Sequence, residues 1–277
     1  MSLLRLDRAS RHFGKLQAVQ DVSFEMNAGE LRAIIGPNGA GKTTFFNLIT
    51  GFVPPTSGDV WFDGESIRDK PVVYRVRRGI VRTFQITEVF PDLSVYENVR
   101  FGVETAARMN GRPWLPHAKR TEVARRTDEL LEVVGLAAKA DRVVSELAHG
   151  DQRVVEIAIA LTMNPRLLLL DEPTAGMGDA ETDHMVDLIR RLHTERGLSI
   201  LFIEHDMSIV FGIAQRITVL DHGRLLAEGT PAEVSANEQV RAAYLGEEAK
   251  ARARSCRPAR CTPSTARATS CTAFRWK

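Results

Sequence analysis

The body of this chain contains no cysteine and no long apolar run. All three cysteines, Cys256, Cys261 and Cys271, lie near the C-terminus, which excludes a disulfide framework or a thiolate metal site upstream of them. No stretch approaches the ~18 apolar residues that a membrane-spanning helix requires. The first ten residues carry charges through their only apolar stretch, so we expect no secretory signal and a cytoplasmic location.

Acidic residues are absent after Glu248, whereas eight cationic residues follow it: Lys250, Arg252, Arg254, Arg257, Arg260, Arg267, Arg275 and Lys277. Without these eight charges, the formal net charge falls from +2 for the whole chain to −6 for the rest. A negative body argues against a general nucleic-acid-binding surface. The segment 249–277 also lacks an apolar period, so its composition predicts a disordered basic tail. A polybasic membrane or nucleic-acid segment is the other interpretation.

The clearest positive signal is a glycine-rich run at residues 36–44. It matches G-x-x-x-x-G-K-[ST], a P-loop in which backbone N–H groups converge on phosphates, because residues without a Cβ permit the tight turn. An apolar strand precedes the run and a helix is predicted over 44–50. We predict a nucleoside triphosphate site, with Lys42 on the β and γ phosphates and Thr43 on Mg²⁺. Its predicted nucleotide-binding residues are Gly36, Pro37, Asn38, Gly39, Ala40, Gly41, Lys42, Thr43 and Thr44.

The remaining pattern predicts an α/β fold. The chain up to about residue 35 and an Asp63-Gly64 turn indicate β structure, and residues from about 88 to 163 have helical character. Apolar runs at 167–170 and 200–203 flank a helical pattern over 180–196, which is typical of parallel strands buried on both faces. A hairpin is predicted around a turn at 221–223.

Three polar side chains follow these buried strands. Asp171 suits an outer-shell hold on Mg²⁺ and Glu172 suits polarisation of an attacking water, although a strand can also simply end at a solvated Asp-Glu pair. His205 follows the next strand. A lone histidine is more often structural, but the C-terminal edge of a parallel sheet is where such folds bind ligands.

A further motif, Leu-Ala-His-Gly-Asp-Gln-Arg at residues 147–153, precedes an amphipathic helix and the acidic strand. With it, residues 3 to about 246 resemble the ATP-binding cassette (ABC) ATPases, whose signature reads approximately L-S-G-G-Q. The resemblance implies that Glu172 is the catalytic base, that His205 is the switch histidine and that Gln85 is the Q-loop glutamine and a metal contact. It also implies an adenine contact from Phe13, for which a core position is the alternative.

The signature departs from the family pattern. Ala148 replaces the serine, His149 replaces a glycine and Asp151 replaces the glutamine, whereas Gly150 is retained. A helix N-terminus behind Gly150 still favours an anion, so we expect Ala148, His149 and Gly150 to contact nucleotide. Because every residue assigned to magnesium and to the attacking water is intact, we expect ATPase activity to survive. The D-loop at 175–179 has Gly178 where the family usually has an aspartate.

Several segments resemble the ATP-binding subunits of bacterial importers for branched-chain amino acids, among them Arg-Thr-Phe-Gln-Ile at 82–86 and Ile-Glu-His-Asp-Met at 203–207. The resemblance implies a second ABC subunit facing head to tail, two membrane permeases docking near residues 88–90, and an extracytoplasmic solute-binding protein acting indirectly. It places the chain at the cytoplasmic face of the plasma membrane. Urea or amide import, lipopolysaccharide export and a soluble ABC protein are the alternatives.

The predicted organisation is one ABC ATPase domain over 1–248. Its P-loop core spans 1–87 and 164–248, begins with an antiparallel β subdomain and accommodates an inserted helical subdomain at 88–163. The tail at 249–277 has a third interpretation. Residues 256–277 have possible codons that, read two bases later, encode a string resembling the start of another such cassette, so a frameshift would account for the tail.

Overall fold

The computed structural model describes residues 2–83, 89–107 and 117–243, without the side chain of His117. Its strands are β1 (Ser2–Phe13), β2 (Leu16–Asn27), β3 (Leu31–Ile35), β4 (Ser57–Phe62), β5 (Glu65–Ser66), β6 (Ile80–Arg82), β7 (Leu167–Asp171), β8 (Ser199–Ile203), β9 (Arg216–Asp221) and β10 (Arg224–Gly229). Its α-helices are α1 (Lys42–Thr50), α2 (Val72–Arg77), α3 (Val95–Ala106), α4 (His117–Val134), α5 (His149–Thr162), α6 (Asp179–Arg196), α7 (Met207–Ile213) and α8 (Pro231–Ala236).

The larger sheet has the strand order β10-β9-β3-β8-β7-β6. All neighbours are parallel except β10, which pairs antiparallel with β9. β3, β7 and β8 are buried along their whole length, as expected for strands covered on both faces. The predicted strands before the P-loop, at 167–170 and at 200–203 are confirmed, and so is the helix between the last two. β6 has only three residues and was not predicted.

The smaller sheet is antiparallel, with the order β2-β1-β4-β5. Helix α1 packs on this sheet through Phe45, whose ring meets that of Phe24 edge to face at 5.2 Å. Phe45 and Phe46 share one apolar cluster with residues of β1, β2 and β4 and with Leu167 and Leu169 of the larger sheet. The helix that follows the P-loop therefore lies between the two sheets, and the predicted N-terminal antiparallel unit is confirmed.

The helices α3, α4 and α5 pack against one another. The apolar positions that indicated helix are buried: Val123, Leu130, Leu131, Val134, Val154, Ile157, Ala158 and Leu161. A Cβ on Gly102 would lie 3.0 Å from the Thr162 side chain, so α3 and α5 cross closely there. Gly-Arg-Pro at 111–113 predicts a break within the helical segment, but it lies outside the described residues, as do Gln85, Glu88 and the tail at 249–277. The domain boundaries stay predictions.

The parallel strands deliver the predicted site residues to one edge. β3, β7 and β8 run in the same direction and end at Ile35, Asp171 and Ile203. The P-loop, Glu172 and His205 therefore follow neighbouring strand ends, where ligands bind in sheets of this kind. The predicted α/β architecture is confirmed. None of the helices in the described part of the chain has the length and apolar character needed to cross a membrane.

Candidate nucleotide site

Two glycines of the P-loop, Gly36 and Gly41, occupy positions that no other residue fits. Gly36 has φ +154° and Gly41 has φ +98°, and Gly41 is the N-cap of α1. A Cβ on Gly36 would lie 2.1 Å from the Leu220 carbonyl oxygen, and one on Gly41 would lie 2.3 Å from the Ala18 carbonyl oxygen. The loop is thus held between backbone of β2 and β9, and its narrow turn depends on the missing side chains.

Helix α1 presents an open N-terminus behind this loop. Its N-cap makes no side-chain hydrogen bond, and its first turn holds no acidic residue. Lys42, the first helical residue, is 8% exposed and donates from Nζ to the carbonyl oxygens of Gly36 at 2.6 Å and Pro37 at 3.1 Å. The backbone N–H groups, the helix dipole and the ammonium together favour a phosphate group.

A cavity of about 640 Å³ lies over the loop. It brings together two parts of the sequence prediction, because Asn38, Gly39, Ala40, Gly41, Lys42, Thr43 and Thr44 share its lining with Glu172 and His205. Other lining residues were not predicted: Lys15, Leu16, Gln17, Ala18, Gln20 and His222. These come from the β1–β2 turn, from β2 and from the β9–β10 turn. No sequence motif marked them.

Asp171, the last residue of β7, is paired with Arg82, the last residue of β6. The carboxylate is 5% exposed and accepts a hydrogen bond from Arg82 Nη2 at 2.5 Å. Arg82 Nη1 donates to Asn47 Oδ1 of α1 at 2.6 Å. One guanidinium therefore ties the acidic strand end to the P-loop helix. Arg82 belongs to the Arg-Thr-Phe-Gln segment but was not predicted as a site residue.

Glu172 and His205 meet across the strand ends. His205 Nε2 lies 3.0 Å from Glu172 Oε1, and because a carboxylate only accepts, Nε2 carries the hydrogen. Glu172 has φ +50°, in the left-handed region that a side-chain-bearing residue seldom adopts, and its N–H donates to the Ile203 carbonyl at 3.0 Å. Backbone strain of this sort is concentrated at functional sites.

The signature segment lies apart from this cavity. Ala148, His149 and Gly150 begin α5 and are not among the described residues that line the cavity. The Gly150 N–H donates to Glu181 Oε1 at 3.2 Å, and Glu181 Oε2 accepts from the Gly178 N–H, also at 3.2 Å. A carboxylate of α6 thus accepts a hydrogen bond from a backbone N–H group at the start of α5.

The unusual Asp151 of the signature has a cationic partner. Its Oδ2 lies 2.5 Å from Lys139 Nζ, with Lys139 in a 3₁₀ turn before α5. An acidic residue in the first helical turn also suits the positive end of the helix dipole. Lys139 therefore offsets the negative charge that this substitution adds.

Phe13 lies at the end of β1 and is 44% exposed, which excludes the core alternative. Its ring centroid is 4.6 Å from the guanidinium carbon of Arg11. Within the described chain, the cavity lining includes Lys15 from the adjoining turn and Leu16 from the start of β2 but not Phe13. Its adenine contact stays a prediction.

The chain is similar to curated transport ATPases along most of its length. The high-affinity branched-chain amino acid transport ATP-binding protein LivG of Salmonella typhimurium is 41% identical over 250 residues, which cover 88% of this chain and 98% of LivG. The lipopolysaccharide export system ATP-binding protein LptB of Haemophilus influenzae is 36% identical over 250 residues, covering 90% of this chain and all of LptB.

Solved structures agree with these relatives. An ATP-binding cassette of an ABC transporter, MJ1267 in its ADP conformation, has a TM-score of 0.78 at 30% identity and covers 89% of this chain and 99% of its own. A dimeric post-hydrolysis state of the cassette MJ0796, bound to ADP and Pi, has a TM-score of 0.69 at 26% identity, with 82% and 98% covered.

Two family models match the chain. The ABC transporter model matches residues 19–175, and the branched-chain amino acid ATP-binding cassette transporter model matches residues 224–250. The first match contains the P-loop, the signature segment and the acidic strand end, which are the motifs on which the resemblance was based. The chain belongs to the ATP-binding cassette ATPases of ABC transporters.

Proposed function

We propose that this chain is the ATP-hydrolysing subunit of a bacterial importer for branched-chain amino acids. The identity to LivG and the matched segment at 224–250 support the transport assignment. The observation that carries the enzymatic part is the Glu172–His205 pair, 3.0 Å apart in the cavity that holds Lys42 and Thr43.

The P-loop would bind the phosphates of ATP. The left-handed glycines, the N-terminus of α1 and the Lys42 ammonium supply donors and positive charge on one side of the cavity. Lys42 would exchange its two carbonyl partners for the β and γ phosphates. Phosphate binding at such a helix end needs no contact with the adenine base. Stacking of Phe13 on that base would therefore add affinity to a site that the phosphates already occupy.

Mg²⁺ is the metal that the site suits. The described residues contain no cluster of three or more His, Cys, Asp or Glu side chains that would form an all-protein metal site. Mg²⁺ with a nucleotide needs only one or two protein carboxylates, because phosphates and water supply its other ligands. We assign the Thr43 hydroxyl, Asp171 and Gln85 to it, and it would neutralise charge that develops on the phosphates.

Glu172 would act as the general base. Its carboxylate orients the attacking water and takes its proton, while the Nε2–H of His205 fixes the position of Oε1. His205 is exposed on the cavity side and would contact the γ-phosphate after that bond rearranges. The hydrolysis step then depends on two side chains from neighbouring strand ends.

A second ABC subunit would complete the site. The Gly150 end of α5 is not among the described residues that line the cavity of its own chain, and a related cassette has been solved as a dimer. In a head-to-tail pair, the residues Ala148, His149 and Gly150 of each chain would cover the nucleotide of the other. Closure would bury the phosphates among fixed dipoles, and hydrolysis would reopen the pair.

Two permease subunits would dock beside α3. Phe90 and Phe101 are 48% and 45% exposed, and their rings meet edge to face at 5.2 Å. Phe90 is five residues after Gln85 in the sequence, so γ-phosphate sensing and permease contact would be close in the chain. The subunit would then lie at the cytoplasmic face of the plasma membrane, with a solute-binding protein acting from the other side.

The Glu172→Gln variant tests the enzymatic part. It retains the shape and hydrogen bonding of the side chain but cannot take a proton, so we expect turnover to fall at least about 100-fold. ATP binding should persist, and an ATP-bound dimer should accumulate on size-exclusion chromatography. Wild-type turnover by this variant would contradict the base assignment.

Reconstituted uptake tests the solute. With its permeases and solute-binding protein, the subunit should support ATP-dependent accumulation of leucine, isoleucine or valine in vesicles. Transport of urea or an amide alone would overturn the proposed solute. Lipopolysaccharide export is the second candidate, because LptB is 36% identical. Co-purification with an exporter's membrane subunits would favour it, and co-purification with ribosomes or DNA would favour a soluble ABC protein.

A further inference from the structure

Glu204 is a buried carboxylate that the proposed mechanism leaves without a task. It lies between β8 and α7, directly before His205, and is only 4% exposed. A carboxylate at that depth is costly unless hydrogen bonds compensate for its lost hydration. Its partners therefore indicate why an acidic residue occupies this position.

The partners of Glu204 belong to both loops that carry the reacting side chains. Its Oε1 accepts from the backbone N–H of Thr174 at 2.9 Å and from the Thr174 hydroxyl at 2.7 Å. Its Oε2 accepts from the His205 N–H at 3.2 Å. Thr174 is two residues after Glu172 and is 8% exposed. One carboxylate thus joins the loop after β7 to the loop after β8.

The loop after β7 needs such an anchor. Glu172 is held at φ +50°, and a residue stays in that conformation only where its surroundings determine it. The Glu172 N–H is bonded to Ile203 on one side of the turn, and Thr174 is bonded to Glu204 on the other. Both constraints come from the end of β8, where His205 follows.

We propose that Glu204 is a positioning residue for ATP hydrolysis, which holds Glu172 and His205 in register by fixing their two loops to each other. This inference rests on the roles proposed for Glu172 and His205. Glu204 itself contacts neither side chain of that pair. Its loss should therefore lower kcat through misplacement and leave the P-loop's affinity for ATP intact.

Glu204→Gln and Thr174→Val test the two ends of the link in the full-length chain. A glutamine accepts through one oxygen only, so it retains one anchor and loses the other. We expect kcat to fall about tenfold in Glu204→Gln and severalfold in Thr174→Val, with KM for ATP within about twofold of wild type. Thr174→Ser retains the hydroxyl that Thr174→Val removes, so it should keep wild-type kcat. The double variant should lose less than the product of the two single effects.

Two matched variants separate positioning from stability. Glu30 is also buried, at 7% exposed, and does not line the cavity. It accepts the backbone N–H of Asn27 at 3.0 Å and also pairs with the buried Arg32 at 2.6 Å, so Glu30→Gln disturbs at least as many contacts as Glu204→Gln and is its control. Thr127, fully buried, donates its hydroxyl to Val123, so Thr127→Val is the control for Thr174→Val. Both controls should lower Tm and preserve kcat.

An imidazole ¹⁵N spectrum gives a readout that simple destabilisation does not move. The Nε2 resonance of His205 should shift in folded Glu204→Gln, because its bond to Glu172 changes. Wild-type kcat in both Glu204→Gln and Thr174→Val, or an unshifted His205 resonance, would overturn the inference. If Glu172→Gln also keeps wild-type turnover, the proposed function itself is wrong, so the two failures are distinguishable.

Discussion

Two helix N-termini in this chain follow glycine-containing motifs, but only one of them is open. At α1, the Gly41 cap has no side chain, the first turn has no acid, and the cavity lies in front. At α5, a carboxylate from Glu181 already takes the Gly150 N–H, and Asp151 is paired with Lys139. One chain thus has an open helix end at the P-loop and, at the signature, a helix end whose Gly150 N–H already has an internal acceptor.

This difference shows that the P-loop end of α1 and the signature end of α5 are prepared differently for an anion. The P-loop obtains its shape from the chain's own sheets, whereas in the proposed head-to-tail pair the signature end would have to exchange the internal Glu181 carboxylate for the partner's phosphate. Helix N-termini bind anions generally, so the contrast lies in what each end already holds. The following substitutions should break or sharpen it, beginning with the largest effect.

Lys42→Ala should disable the open end. Removing the ammonium takes away the charge-assisted contacts to the phosphates, so we expect kcat/KM for ATP to fall roughly 1000-fold. Nucleotide affinity measured by isothermal titration should fall with it. Lys15 also lines the cavity but lies in the β1–β2 turn, so Lys15→Ala is the control and should retain most activity. Unchanged affinity in Lys42→Ala would count against the P-loop assignment.

Arg75→Met should loosen the other end of α1. The Arg75 guanidinium is 1% exposed and donates to the carbonyl oxygens of Leu48 and Ile49, which close the helix, and burial lowers its pKa to about 10. Leaving those carbonyls unsatisfied should lower the free energy of unfolding in urea by about 3 kcal/mol. The exposed Arg77→Met should change it by less than about 0.5 kcal/mol. Equal effects would show that Arg75 does not secure α1.

Glu181→Ala should open the signature end. Freeing the Gly150 N–H gives the partner's nucleotide an unoccupied donor, so in the Glu172→Gln background we expect the ATP-bound dimer to tighten by about threefold to tenfold. Analytical ultracentrifugation measures this dissociation constant. Glu233 at α8 likewise accepts the backbone N–H of its N-cap residue, Thr230, so Glu233→Ala shares the loss of that bond without the signature contact. A weaker dimer in Glu181→Ala alone would mean that the carboxylate supports closure.

Lys139→Met should have the smallest effect. It leaves the Asp151 charge without its partner at the start of α5, but Lys139 is 43% exposed, so solvent screens most of the interaction. We expect the dimer to weaken by about twofold, and a second change, Asp151→Asn, to restore it. A salt titration of the same dissociation constant should reduce the difference. An unrestored double variant would show that the charge pair is not the cause.

Patterns within a few residues predicted most of the fold. The leucine run of β7, the P-loop and the apolar period of α4 each carry a local signal, and each is where it was expected. β6 was not predicted, because a strand of three residues is too short to show an apolar period.

The contacts that hold the site together were not predictable in this way. Arg82 to Asp171, Gly150 to Glu181 and Thr174 to Glu204 join residues 89, 31 and 30 positions apart. Only the folded sheet brings such pairs together, and a single sequence contains no period that reports them. Gln85 lies outside the described residues, so its role stays a prediction.

The backbone segment at 220–223, which confines the P-loop, is translated long after the loop itself. The glycine run is complete by residue 44, but the carbonyl of Leu220 confines Gly36, and the Gly223 N–H is bonded to the Ala40 carbonyl at 3.0 Å. A nascent chain contains the whole motif long before it contains that segment. A polypeptide interrupted before Leu220 therefore has the phosphate-binding sequence without the means to hold its shape.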